Sequence, residues 1–419
     1  MRPRLNKDLG IIYLVSALCS VVLIAIFGVC EIYDSSSYIR AWDALSEGRL
    51  DALRTPVYPL FLHGLYVVFG PGSFLFAAIC VQHLVFLLSL RLLYSLLGQC
   101  RLSPGSVFWM TLIYGCLPAI TSWNNCILTE SLALSGTIAL LYLVFRTDEH
   151  PTVAHAASVT CILLFLLLLR PIFIYLIPVL LFYSLLLLFR PRTKKKGGWL
   201  LGGGVLLSAI CFLLYMNEYK KEYGIFSTSN VSVINQYFIA RQSGLIDPES
   251  IRDARLKSDI ELYFQIHGGK DEEPSFLWEE AQDIAANHNL LVIQENLKTA
   301  MGHNLMNSIR SVKDRFMDSA QKPLLFSPIW KISILFLAWG FSLSTLYLCL
   351  LLFPIYLVLW VIRKREIPWK SLLLYLLGIS NILVAVLGAQ GEWNRLIFPS
   401  MPIWFLLGGQ VFRLRKQLV

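Results

Sequence analysis

The chain of 419 residues is poor in charge, with Asp, Glu, Lys and Arg making up only 15%, against about 25% in soluble domains. Hydrophobic residues make up 56% and the mean hydropathy is +0.62, which excludes a water-soluble globule. There is no Gly-rich loop ending in Lys and Ser or Thr, so P-loop nucleotide chemistry is excluded. Internal repeats and low-complexity tracts are missing too, which removes solenoids and disordered tails. The nine cysteines lie in or beside apolar runs without metal-type spacing, and small packing residues are the plainer reading. The net charge of +9 would suit nucleic acid in a soluble protein, but here only one sizeable polar insert is available to bind it.

What the chain does hold is apolar runs, near residues 10 to 30, 74 to 97, 105 to 121, 126 to 146, 154 to 169, 171 to 190, 198 to 215, 337 to 361, 369 to 388 and 396 to 411. Each approaches the about 20 helical residues that cross about 30 Å of hydrocarbon. A further run at 56 to 70 is short and begins with Pro56 and Pro59. If it crossed, the basic tract RPRTKKK at 190 to 196 would face outward, against the positive-inside rule. Leaving it on the outer surface gives about ten spans with both termini cytoplasmic, and the excess of Lys and Arg then gathers on the inner side. The first run resembles a signal peptide, but it is long and Gly28-Val29-Cys30 is a poor cleavage site, so a retained span is expected.

The expected fold class is therefore an all-α polytopic membrane protein in three parts: an N-terminal transmembrane module, 1–215, a polar insert, 216–330, and C-terminal transmembrane helices, 331–419. The module includes a first outer loop at 31–70. There Tyr38, Ala41, Trp42 and Leu45 fall on one face, which predicts a short amphipathic helix on the membrane surface. The insert keeps apolar residues three or four apart and reads as mostly helical, ending at Pro323 and Pro328 before an aromatic and basic edge, Trp330 and Lys331. Gly202, Gly203 and Gly204 fit close helix packing or an unwound binding segment. Asn230-Val231-Ser232 is a glycosylation triplet of a kind frequent by chance.

Ionisable side chains near a bilayer are costly and usually face a wet cavity. In this topology they share one depth, on the outer side: Asp34, Arg54, Glu130, Arg170, Glu392 and Arg395. Each has a plainer reading, since Glu392 and Arg395 can pair locally and Arg170 can reach lipid phosphate. Glu130 is harder to dismiss, because a buried carboxylate needs a partner or a proton. His83 lies mid-span, where a neutral imidazole bonded to a neighbouring helix is the commoner case, and His63 is equally open. Guanidinium forks suit a phosphate, and a carboxylate beside them suits deprotonation of an attacking hydroxyl or stabilisation of charge on a sugar ring. The combination describes a lipid phosphate as leaving group and a sugar as the piece transferred.

Four motifs occur in order: D-x-x-x-Y followed by R-T-P-V-Y-P-L-F-L (Asp34, Tyr38, Arg54 to Leu62), L-T-E-S-L (Leu128 to Leu132), L-L-R-P (Leu168 to Pro171) and E-W-N-R-L-I-F-P-S-M-P (Glu392 to Pro402). This series resembles the GT-C glycosyltransferases, in particular the family 39 type that includes the protein O-mannosyltransferases and the lipid A aminoarabinose transferase. The resemblance implies a bacterial cytoplasmic (inner) membrane enzyme of envelope assembly, with its active site on the extracytoplasmic face and a polyprenyl-phosphate sugar as donor. It implies Asp34 as catalytic base and Glu130 as the group orienting hydroxyls. It also implies Arg54, Arg170 and Arg395, with Glu392, as phosphate or sugar contacts, and Tyr38 and Tyr58 as pocket lining. One departure is Ser35 after Asp34, where many members carry glutamate.

The acceptor is expected to be a glycan, glycolipid or protein, with membrane lipid around the enzyme and no nucleic acid. A divalent cation shared by Asp34 and Glu130 stays open, although no metal-ligand spacing is present. Two rivals also stay open. A flippase or exporter of lipid-linked sugar predicts charges through the depth of the spans and broken helices. A polysaccharide polymerase or ligase predicts arginines and a histidine in a large outer loop, whereas the insert is net acidic.

Overall fold

A computed structural model describes residues 2–100, 102–190, 192–267, 274–303, 305–324, 327–329, 342–364, 368–389 and 392–418. Among these residues the chain is helical, with two isolated β-bridges and no strand. Six helices among the described residues are long and apolar enough to cross a bilayer: Lys7–Phe27, Phe74–Gln99, Pro171–Leu188, Lys195–Tyr223, Leu343–Arg363 and Trp369–Gly388. Lipid-facing leucines and valines remain exposed along them, as at Leu14, Leu18, Val21 and Val22. The protein is thus a multi-pass α-helical membrane protein.

Several of the expected runs take other forms. The run at 105 to 121 is interrupted at Leu117, where Pro118 cannot continue the hydrogen-bond ladder, and Pro104–Cys116 and Pro118–Asn125 meet at 51°. Taken as one broken span, the pair raises the number to seven. The run at 126 to 146 becomes helix Glu130–Glu149, starting four residues later, and Val153–Leu169 is a shorter apolar helix. The run at 198 to 215 extends outward as Arg192–Tyr223, so the 215 boundary falls within a helix. Trp330, Lys331 and the beginning of the run at 337 to 361 lie outside the described residues.

The glycine run lies inside that continuous helix and serves packing. A Cβ at Gly204 would stand 2.9 Å from Thr160 Oγ1 and 3.0 Å from the Ala156 carbonyl oxygen, and one at Gly202 would stand 3.0 Å from Ser184 Oγ. Gly203 faces open space. The backbone of this helix therefore approaches Val153–Leu169 and Leu176–Leu188 more closely than a side chain would permit.

The first loop folds into the short helix Ser35–Ser46, with Tyr38 and Ala41 buried, followed by Val57–Phe69. Trp42 stacks on His63 with ring centroids 3.4 Å apart, which ties these two helices together. The insert folds as Val231–Gln242, Ala254–His267, Pro274–Asn287, Leu290–His303 and Leu305–Gln321. Its core gathers Tyr219, Ile234, Tyr237, Leu277, Ile284 and Ile293, separate from the main bundle core. Inside it a buried ion pair joins Arg241 Nε to Glu280 Oε1 at 3.0 Å, and Tyr237 donates to the same oxygen at 2.6 Å.

Loop and insert touch directly. The Leu50 N–H donates to Glu222 Oε2 at 3.0 Å, the Asn230 N–H to the Ala52 carbonyl at 2.8 Å, and the Tyr219 hydroxyl to the same carbonyl at 2.9 Å. Residues 31–56 and the insert are therefore at one end of the molecule.

Candidate active site

Between the first loop, the insert and the turn before Met401–Leu418 lies a cavity of about 1460 Å³. Asp34, Tyr38, Arg54, Arg170, Glu392 and Arg395 line one wall. The insert supplies the opposite wall, including Asn235, Trp278, Gln282, Asp283, His288 and Asn289.

Asp34 immediately precedes Ser35–Ser46, where aspartate usually caps the helix with its side chain. Here it makes no side-chain cap bond. Its carboxylate is held by two guanidiniums instead, Arg54 Nη2 to Oδ1 at 2.7 Å and Arg395 Nη1 to Oδ2 at 2.6 Å. Burial pushes the Asp34 carboxyl up, but Arg54 and Arg395 outweigh it and leave it below the ordinary aspartate value. Arg54 Nε also donates to Ser37 Oγ at 2.8 Å and its Cζ lies 4.3 Å from the Tyr38 ring centroid, while the next residue's Thr55 Oγ1 donates to the Leu169 carbonyl at 3.3 Å. That last bond sets the Arg54 segment against the end of Val153–Leu169, where Arg170 follows in an extended conformation and Pro171 blocks further α-helix.

Glu130 opens its helix, where the N-terminal dipole favours a negative charge, and is fully buried. Oε1 receives Arg395 Nε at 2.5 Å and lies 3.0 Å from Arg170 Nη1. Arg395 also contacts Glu392 at 3.0 Å, and its helix is anchored by buried Trp393, whose Nε1 donates to the Ala389 carbonyl at 2.9 Å. The result is an alternating chain of charges, Arg54, Asp34, Arg395, Glu130, Arg170, with Glu392 attached to Arg395.

The structure thus brings together six of the eight residues singled out from the sequence as one charge cluster, and Tyr38 stacks against it. Two placements differ. Tyr58 does not line the cavity: it is fully buried behind Tyr38, with ring centroids 5.1 Å apart, and its hydroxyl donates to Gln82 Oε1 at 2.8 Å. Glu130 is likewise absent from the cavity wall and reaches it only through Arg170 and Arg395. A cation shared by Asp34 and Glu130 does not fit either, since the Arg395 guanidinium already bridges the two carboxylates. Among the described residues no group of three or more His, Cys, Asp or Glu side chains is placed to hold a metal.

Sequence reasoning missed a buried polar lattice behind the site. Gln82 Nε2 donates to the Asn124 and Cys126 carbonyls at 3.0 and 2.9 Å, and Asn125 Nδ2 to the Gly28 carbonyl at 2.8 Å. His83 Nε2 lies 3.1 Å from Asn125 Oδ1, the interhelical role expected of a mid-span histidine. Pro118 after an apolar stretch, followed by two consecutive asparagines, was the available signal. No family model matches the chain, and no curated protein matches it at a significant level.

Proposed function

We propose that this is an integral-membrane glycosyltransferase of the GT-C kind, with about ten spans in a bacterial cytoplasmic membrane and its cavity facing outward. It moves a sugar from a polyprenyl-phosphate donor to a glycan, glycolipid or protein acceptor. The observation that carries the reading is the Asp34 carboxylate, 21% exposed, between two arginines on the wall of a cavity roofed by the insert.

In the step proposed, an acceptor hydroxyl oxygen bonds to the anomeric carbon opposite the phosphate. The carbon–oxygen bond to phosphate breaks, its electron pair leaves with the phosphate, Asp34 takes the hydroxyl proton, and the configuration inverts. A phosphate entering the cavity competes with Asp34 for guanidinium. Arg54 is the more exposed partner, at 18% against 9% for Arg395, and is the one that turns towards it, giving up its bond to Ser37 as it does so. Once Arg54 leaves, the Asp34 carboxylate is less stabilised and becomes a stronger base. Donor binding therefore prepares the base. Glu130 acts by positioning, holding Arg395 and Arg170 at the wall.

The test is transfer of labelled sugar from polyprenyl phosphate in vesicles. Asp34→Asn is expected to lower transfer about 10²- to 10⁴-fold while donor binding persists, and unchanged transfer removes Asp34 from the mechanism. A flippase for lipid-linked sugar is the second reading, favoured by the 51° break at Leu117. Against it, the polar groups at that break bond to one another and to backbone carbonyls, which ties it shut. In the same vesicles a flippase would carry intact donor across without releasing transferred sugar.

A further inference from the structure

The two site carboxylates have a second connection that the proposed reaction does not use. Cys30 stands four residues before Asp34 and Cys126 four residues before Glu130, and these cysteines pair through a parallel β-bridge. The Cys30 N–H donates to the Asn125 carbonyl at 2.8 Å, and the Ile127 N–H to the Cys30 carbonyl at 3.1 Å. Paired strands run about 5 Å apart, within the roughly 4.4–6.8 Å between Cα atoms that a disulfide spans. Both thiols are free: Cys30 Sγ donates to the Phe27 carbonyl and Cys126 Sγ to the Ser122 carbonyl, each at 3.8 Å. Cys30 is partly exposed, and Cys126 is buried behind it.

We propose that Cys30 and Cys126 are a redox-active pair that closes into a disulfide and clamps the Asp34 loop to the start of the Glu130 helix. The oxidant is a small-molecule disulfide of the glutathione class. Cys30 thiolate attacks one of its sulfurs, the oxidant's S–S bond breaks, and one small thiol leaves. Cys126 then gives up its proton and attacks Cys30 Sγ, forming the protein disulfide and releasing the second small thiol. Two protein thiols are oxidised and one small disulfide is reduced to two thiols.

The roles follow from the environments. Cys30 lies in the loop after Lys7–Phe27, where the neighbouring Cys126 side chain outweighs burial and brings its thiol down to about 7, giving thiolate character near neutral pH, whereas Cys126 is fully buried. Cys30 is the attacking group and Cys126 the resolving one. The end of the bundle carrying the pair also carries the cavity, and disulfides persist where that end faces an oxidising compartment. Formation of the bond does not depend on the reaction proposed above, so either can fail alone.

The experiment uses the full chain in detergent, exposed to oxidised glutathione, alkylated, digested without reduction and mapped by mass spectrometry. The expected result is one cross-linked peptide pair containing Cys30 and Cys126, reversed by dithiothreitol. Cys126→Ser should instead accumulate glutathione on Cys30. Wild-type protein in which Cys126 is alkylated with no cross-link to Cys30, or in which Cys30 pairs with another cysteine, overturns the proposal. Because the deciding measurement is made on the unaltered chain, a folding defect in the variant does not affect it.

Discussion

At the residue scale the site is governed by how many charges Arg395 must satisfy. It contacts Asp34, Glu130 and Glu392, and Glu130 is shared with Arg170 inside the protein. Glu130→Gln should therefore destabilise by about 3 kcal/mol or more, since it leaves buried guanidiniums under-compensated; thermal unfolding in detergent measures this. Acid has a predictable effect at Asp34. Its folded value is below the ordinary one, so the stability it contributes is present above the ordinary aspartate pKa and is lost as pH falls through the lowered folded value. Activity adds a second signature. If donor phosphate draws Arg54 away, the acid limb of kcat, which reports the bound enzyme, lies at higher pH than that of kcat/KM, which reports the free enzyme. Coincident limbs would show that Arg54 stays on Asp34.

Individual charges were legible because each is conspicuous in an apolar chain. Of their pairings only the local one, Glu392 with Arg395, was legible. Arg395 lines the cavity and also bridges carboxylates hundreds of residues upstream, a choice made by tertiary approach rather than by spacing. Tyr58 was misplaced for a similar reason. The helix that presents Tyr38 packs across its ring, and nothing local in the sequence states which of two aromatics lies in front.

At the scale of elements, the glycine run separates two substitutions that look alike in sequence. Gly204→Ala drives a methyl against the Ala156 carbonyl and Thr160 and should cost about 1–3 kcal/mol. Gly203→Ala meets open space and should be neutral or gain up to about 1 kcal/mol from helix propensity. Melting temperatures of the two proteins should move in opposite directions or differ clearly. In the insert, Arg241→Met leaves Glu280 buried without its cation and should cost about 3–5 kcal/mol, read out as protease sensitivity within 216–330. The helical character of the insert followed from apolar spacing. The break at Leu117 was not read, although Pro118 within the run marks it.

For the whole molecule, the contacts of Leu50 and Ala52 with Glu222, Tyr219 and Asn230 require the first loop and the insert to share one side of the bilayer. Cysteines introduced at exposed Ser46 and Glu249 should both react with a membrane-impermeant maleimide added from that side. Labelling from opposite sides would dismantle the cavity and every role assigned to it.

The bridge made by Arg395 also bears on how the protein is born. A ribosome delivers Asp34 with Arg54 and Glu130 with Arg170 long before Arg395, so until that residue is made each carboxylate has one of its two cations and nothing joins the two pairs. Chains cut short before that arginine should keep their earlier helices yet leave the two ion pairs unjoined, and a lower steady-state amount in the membrane would reveal it.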